Sequence, residues 1–119
     1  TTVILNNEVL GKPKSKNEAT ETLRSLSGKR HEVISAVCMI YGGETIEFKD
    51  STTIEFKILS ETEIDYYIGH YKPFDKAGSY GIQEWIGHIA ISKIEGSYTN
   101  VMGLPTQLLY EEMQKLKSV

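Results

Sequence analysis

The sequence predicts an α/β domain: a mixed, partly antiparallel sheet with flanking helices. Three observations carry this. The motifs "SKNE" (15–18) and "SETE" (60–63) each precede apolar residues at helical spacing. The apolar run "HEVISAVCMIY" (31–41) meets Gly42-Gly43 and returns as "ETIEFK", the pattern of a hairpin. Strand-like and helix-like segments alternate along the chain with no low-complexity linker, which argues for one mixed layer structure. A length of 119 residues suits a single domain spanning 1–119.

Residues 1–5, "TTVIL", read as a buried strand already under way at the first residue. The opening lacks Met, and we expect an N-terminal part of the protein to precede it. "NNE" (6–8) is a turn, and "VLGKPK" (9–14) leaves it. Ser15 and Glu18 form a capping box, Ala19, Leu23 and Leu26 follow on one face, and Gly28 stops the helix, so a helix is expected over 16–27. The 31–41 run is apolar in both alternating sets, as in a strand buried on two faces. "TIEFK" occurs at 45–49 and 53–57 and is expected to form two half-buried strands. A second capping box opens a helix carrying Ile64, Tyr67 and Ile68. A glycine-rich stretch covers 69–87, a strand 88–96 and a turn 97–105. Pro105 suits a first helical turn, and Leu108, Leu109, Met113 and Leu116 make a final amphipathic helix.

Composition excludes several classes. No apolar run approaches the roughly 18–20 residues of a membrane-spanning helix, and nothing at the start resembles a signal peptide. A formal charge of -3 gives no footprint for nucleic acid or an anionic membrane. The one cysteine, Cys38, cannot form an internal disulfide; it lies in an apolar run and is expected to be a buried, inert thiol, in keeping with a reducing, cytoplasmic setting. His31, His70 and His88 are scattered without metal-ligand spacing. No nucleophile elbow, Walker loop or dinucleotide fingerprint is present.

Three stretches could carry chemistry. In "GKP" (11–13), Lys12 stands between a glycine and a proline, a short bend suited to presenting a point charge to phosphate; a solvated lysine in a turn accounts for the same residues. "DKAGSYGIQ" (75–83) sets a carboxylate, an ammonium, a phenol and an amide on one glycine-rich segment. Asp75 could position water or a metal, or orient Lys76; Lys76 could meet phosphate; Tyr80 could stack on a planar group. Gln83 offers the donor and acceptor that reading a nucleobase edge requires. An ordinary surface loop with a weak Asp–Lys pair accounts for these residues too. In "EGSYTNVMGLP", Ser97 and Asn100 are expected to satisfy backbone groups at a turn. Glu61 and Glu63 sit at a helix start, where negative charge is favoured without catalysis.

"LGKP" (10–13), "LSGKRHEVIS" (26–35), "DKAGSYGIQ" (75–83) and "IEGSYTNVMGLP" (94–105), in this order and with these gaps, closely resemble the Maf-like nucleotide pyrophosphatases, also called septum formation inhibitor Maf proteins. The resemblance runs from Thr1 to about Leu116, and "KAGSYGIQ" is similar to the subgroup acting on dTTP and UTP. It implies a Maf/ITPase-like fold, incomplete at its N-terminus here. It implies cleavage of a nucleoside triphosphate between its α and β phosphates, a divalent cation (Mg or Mn), and removal of unwanted nucleotides with a link to cell-division arrest. Residue by residue, Lys12 matches a lysine expected at the triphosphate, and Asp75 and Lys76 open a loop lining the same cleft. Thr1 and Gln83 match positions implicated in choosing the base. The family's general base, an Asp, falls just before Thr1 and is not among these residues; its Ser-x-Ser-Pro-Arg-Arg phosphate loop and an upstream glutamate and lysine are also missing. The alternative reading is a nucleotide-binding or division-regulating protein without turnover. A second copy of the chain is a candidate partner, because a partial fold exposes core.

Overall fold

The structure, a computed structural model, describes residues 1–102 and 105–117, except the side chains of residues 41, 108, 116 and 117. Its sheet is assembled around one long hairpin. β3 (Arg30–Tyr41) and β4 (Glu44–Phe56) pair along their whole length and turn at Gly42-Gly43, both at positive φ. β1 (Thr2–Leu5) flanks β3, β2 (Glu8–Leu10) flanks β1, and β5 (Ile91–Glu95) flanks β4. Among the described residues every pairing is antiparallel.

Several elements differ from the sequence expectation, each for a physical reason. Glu8 is not turn but the first residue of β2: Asn6 and Asn7 alone make the turn, at φ 50° and 66°, a conformation asparagine tolerates. The two "TIEFK" copies are not two strands. Both lie in the single strand β4, except Lys57 just past its end, eight residues apart, and an even spacing puts matching residues on the same face. β3 is buried on one face only, and only in its first half: His31, Val33 and Ser35 face the core, while Ile40 is 80% exposed. Cys38 is exposed, contrary to the inert, buried thiol expected; it lies in the outer half of the hairpin, where β3 has no buried position among the described residues. A strand of β4's length spans about 43 Å, and the far half of the hairpin projects, consistent with a longest extent of 54 Å against 27 and 26 Å.

The helices follow their caps. In α1 (Lys16–Leu26) the Ser15 hydroxyl accepts from Glu18 N–H, and Ala19, Leu23 and Leu26 are buried. In α2 (Glu61–Tyr71) both halves of the Ser60–Glu63 box form, and Ile64, Tyr67 and Ile68 are buried. Arg24 forks onto Glu61 across these helices at 2.8–2.9 Å, an exposed pair that adds little stability. His88–Ala90, expected in a strand, end α3 (Trp85–Ala90). Residues 98–102, expected in a turn, form α4 (Tyr98–Met102), its N–H groups met by the Ser97 hydroxyl and carbonyl. α5 (Thr106–Lys117) begins directly after Pro105; Leu109 is half-buried and Met113 exposed, and the side chains of Leu108 and Leu116 lie outside the described residues. Among the described residues no helix is long and apolar enough to cross a membrane.

Candidate functional site

A hollow of about 590 Å³ opens where β1, the bend after β2, the 75–84 segment and α4 meet. Thr1, Lys12, Asp75, Lys76 and Gln83 all line it. Five positions spread over 83 residues of chain are thus neighbours in space. Val3 and Val33 supply an apolar wall, and Glu84 completes the polar rim.

Local chemistry explains the convergence. The two lysine-bearing bends are stitched together by Gly78 N–H donating to Gly11 C=O at 3.3 Å. Gly78 has φ +70°, and a Cβ there would sit 2.9–3.1 Å from the Val3 side chain, so the bend can lie on β1 only as glycine. Residues 77–79 make a short 3₁₀ turn that carries the chain from Lys76 to Tyr80. On the opposite wall, Asn100 is fully buried and donates to Val33 C=O (3.1 Å) and Thr52 Oγ1 (2.8 Å), tying α4 to β3 and β4. The structural role expected for Ser97 and Asn100 is the one they have. This wall reaches the site itself: Ser35 Oγ donates to Asn100 C=O, and shares a 3.1 Å hydrogen bond with Thr1 Oγ1. Val101 and Met102 follow directly into the hollow.

Lys76 is held between carboxylates. Its Nζ lies 3.3 Å from Asp75 and 3.9 Å from Glu84. Glu84 Oε1 accepts from the Tyr67 hydroxyl at 2.7 Å, and that hydroxyl accepts from Gly81 N–H at 3.1 Å. Burial first, and the Glu84 carboxylate second, push the Tyr67 phenol above its ordinary range, so it stays a hydrogen-bond donor. Lys12 and Gln83 are exposed on the rim. Glu84 and Tyr67 were not singled out from the sequence; the one signal was an acidic residue directly after the amide of the motif, before a short helix.

Tyr80 does not act as the stacking platform expected of it. Its ring is buried and packs edge-on against His31 and Phe56, with centroids 5.4 and 5.0 Å away. Its hydroxyl shares a 2.6 Å hydrogen bond with His31 Nε2. Burial lowers the His31 pKa to about 4, so the ring is neutral near pH 7, and burial raises the Tyr80 phenol. Tyr80 lines the hollow as a packed wall, and His31 backs it without lining the hollow itself.

Chemically, the hollow presents two ammonium groups, two carboxylates, a hydroxyl and an amide around an apolar wall. The lysines suit an anionic tail and the amide suits a planar, hydrogen-bonding head. Among the described residues no group of three or more His, Cys, Asp or Glu converges to hold a metal ion.

Comparison with known proteins matches this arrangement to a family. The Maf-like protein family model matches residues 1–116. The chain is 54% identical over 114 residues to the dTTP/UTP pyrophosphatase of Porphyromonas gingivalis, covering 96% of this chain and 57% of that protein. It is 51% identical over 116 residues to the dTTP/UTP pyrophosphatase of Bacteroides thetaiotaomicron, covering 98% and 60%. A third such protein, from Phocaeicola vulgatus, is 54% identical over 116 residues with the same coverage. The chain therefore spans somewhat under two thirds of the length of these curated relatives. With the family model matching nearly from end to end, this chain belongs to the Maf-like protein family.

Proposed function

We propose that the hollow binds a pyrimidine nucleoside triphosphate, dTTP or UTP, and that the protein hydrolyses it to the monophosphate and pyrophosphate. The observation that carries this is the shared hollow of Lys12, Lys76, Thr1 and Gln83, residues from distant parts of the chain. Lys12 and Lys76 neutralise charge that builds on the pyrophosphate leaving group, the main electrostatic demand of such a reaction. Gln83 pairs with the base edge, with Thr1 lining the same hollow; an amide matched to one edge penalises a base that leaves it unpaired. Asp75 sits beside Lys76 at the edge of the same hollow. The general base is expected just before Thr1, and residues 1–119 are read as one domain making up the C-terminal part of the pyrophosphatase. The magnesium or manganese ion the reading calls for does not fit the described residues alone, because both carboxylates at the hollow face Lys76. That engagement also favours a second reading, nucleotide binding without turnover by these 119 residues.

Pyrophosphate release from UTP, dTTP and GTP tests turnover, and equilibrium binding of the same nucleotides tests recognition. Lys12→Ala is expected to weaken UTP binding by about tenfold, the scale of one charge-assisted contact. Gln83→Ala is expected to erase the preference for pyrimidine over purine triphosphates. Unchanged selectivity in Gln83→Ala counts against the proposed reading of the base.

A further inference from the structure

We infer that Glu84, fixed in place by Tyr67, is the positioning residue that holds the Lys76 ammonium over Gly81 and aims it into the hollow, toward the phosphate tail of the nucleotide. The inference rests on the functional reading above and assigns a role to two residues outside its motif.

A lysine is a point charge on a flexible stem, so its value to a developing negative charge depends on how firmly it is held beforehand. The two carboxylates near Lys76 differ in this respect. The Asp75 side chain is 78% exposed, and an ion pair to so exposed a partner is screened and holds little. The Glu84 side chain is 24% exposed. Its Oε1 takes the Tyr67 hydroxyl at 2.7 Å, and Tyr67 is fully buried in α2. The same hydroxyl takes Gly81 N–H, so phenol, carboxylate and backbone are locked together.

Gly81 shows that the lysine stem belongs to this unit. A Cβ at Gly81 would lie 2.7 Å from Lys76 Cε and 2.8 Å from Glu84 Oε1. The stem and the carboxylate therefore occupy the space that any side chain at 81 would need. At 3.9 Å, the ammonium is drawn toward Glu84 without a hydrogen bond to it; one N–H donates to the exposed Asp75 carboxylate at 3.3 Å, and the others are left for an incoming anion. The order of dependence runs from the buried phenol to the carboxylate and then to the ammonium.

The test is a double-mutant cycle read by calorimetry on the 119-residue chain. Glu84→Gln keeps an acceptor for Tyr67 and removes the charge; Lys76→Gln removes its target; the third variant carries both. UTP and uridine are the probes. We expect Glu84→Gln to weaken UTP binding about tenfold, to leave uridine binding unchanged, and to have no further effect once Lys76 is Gln. Tyr67→Phe, which keeps the ring, is expected to weaken UTP in the same direction and to speed exchange of the Gly81 amide. Equal weakening of UTP and uridine, or the same loss with and without Lys76, makes Glu84 merely structural and overturns the inference. Tighter UTP binding by Glu84→Gln means the carboxylate repels the tail, and overturns it too. If the unsubstituted chain binds no UTP, the functional reading fails and the inference with it; if it binds UTP but the cycle shows no coupling, the inference alone fails.

Discussion

The pentapeptide Thr-Ile-Glu-Phe-Lys stands at 45–49 and again at 53–57, and the two copies meet different fates. Ile54 and Phe56 of the inner copy are buried, whereas Ile46 and Phe48 of the outer copy are only half-covered. The backbone of each is strand from its threonine to its phenylalanine. The difference lies in the neighbours. Among the described residues the outer copy pairs only with β3, where Ile46 faces Met39 and Phe48 faces Val37. The inner copy has β5 on its other side, with Ile54 opposite Ile94 and Phe56 opposite Ile91. The rings of His31 and Tyr80 then pack on Phe56. Alternation of apolar and polar residues is enough to specify a strand and its face; burial is conferred by the second neighbour and the layer above it.

The largest expected effect comes from truncating the same residue in each copy. Phe56→Ala removes a ring from a closed core and is expected to cost about 3–5 kcal/mol. Phe48→Ala, with solvent already around it, is expected to cost under about 1 kcal/mol. Urea denaturation midpoints at fixed slope measure both. Equal losses would break the comparison, because they would mean that the outer face is covered in solution.

Protonation offers a second handle on the inner copy alone. His31 lies opposite Ile54, its ring against Phe56, and its Nδ1 is buried with no hydrogen-bond partner among the described residues. Its folded pKa, about 4, lies below the ordinary value of 6.5. Between these values the unfolded chain binds more protons than the folded one. Stability is therefore highest above pH 6.5 and falls as the pH drops toward 4, by roughly 3 kcal/mol at most. Unfolding free energies at pH 7, 5.5 and 4 should show this slope in the parent chain and in Phe48→Ala, and lose most of it in His31→Gln. A slope untouched by His31→Gln would assign the pH dependence to surface carboxylates instead.

The same contrast explains which parts of the molecule were legible in the sequence. The starts of α1 and α2 were, because a side-chain cap is settled within three residues: Ser15 and Ser60 each bind the N–H they were expected to bind. The Gly42-Gly43 turn was legible for the same reason. The continuity of β4 was not. "KDST" (49–52) reads as a break, since Asp and Ser are poor strand formers, but Ser35 and Ile34 of β3 lie opposite Asp50 and Ser51 and carry the ladder through. α3 was hidden by Gly87, whose Cβ would collide with the Ile82 carbonyl, so a residue that weakens helices is there for close packing. At the site, Lys12, Asp75, Lys76 and Gln83 could be picked out because motif residues mark them. Glu84 and Tyr67 could not, because their meeting depends on how α2 packs beneath the 75–84 segment.

The smallest expected effect tests the solvent face, where the two copies should differ least. Glu55 of the inner copy pairs with Arg30 at 3.2 Å, directly across the ladder, with both side chains about half exposed. Glu47 of the outer copy faces Cys38. An exposed cross-strand ion pair contributes under about 1 kcal/mol, so Glu55→Gln should lower stability by a few tenths to 1 kcal/mol and Glu47→Gln by nothing measurable. Urea unfolding at 0.01 and 1 M NaCl, where the screening length is about 30 and about 3 Å, should make even that gap close. A loss above about 2 kcal/mol at Glu55, persisting in high salt, would mean that the outward face of inner β4 is also enclosed. The second neighbour, β5, would then no longer suffice to explain why one copy of the pentapeptide is buried and the other is not.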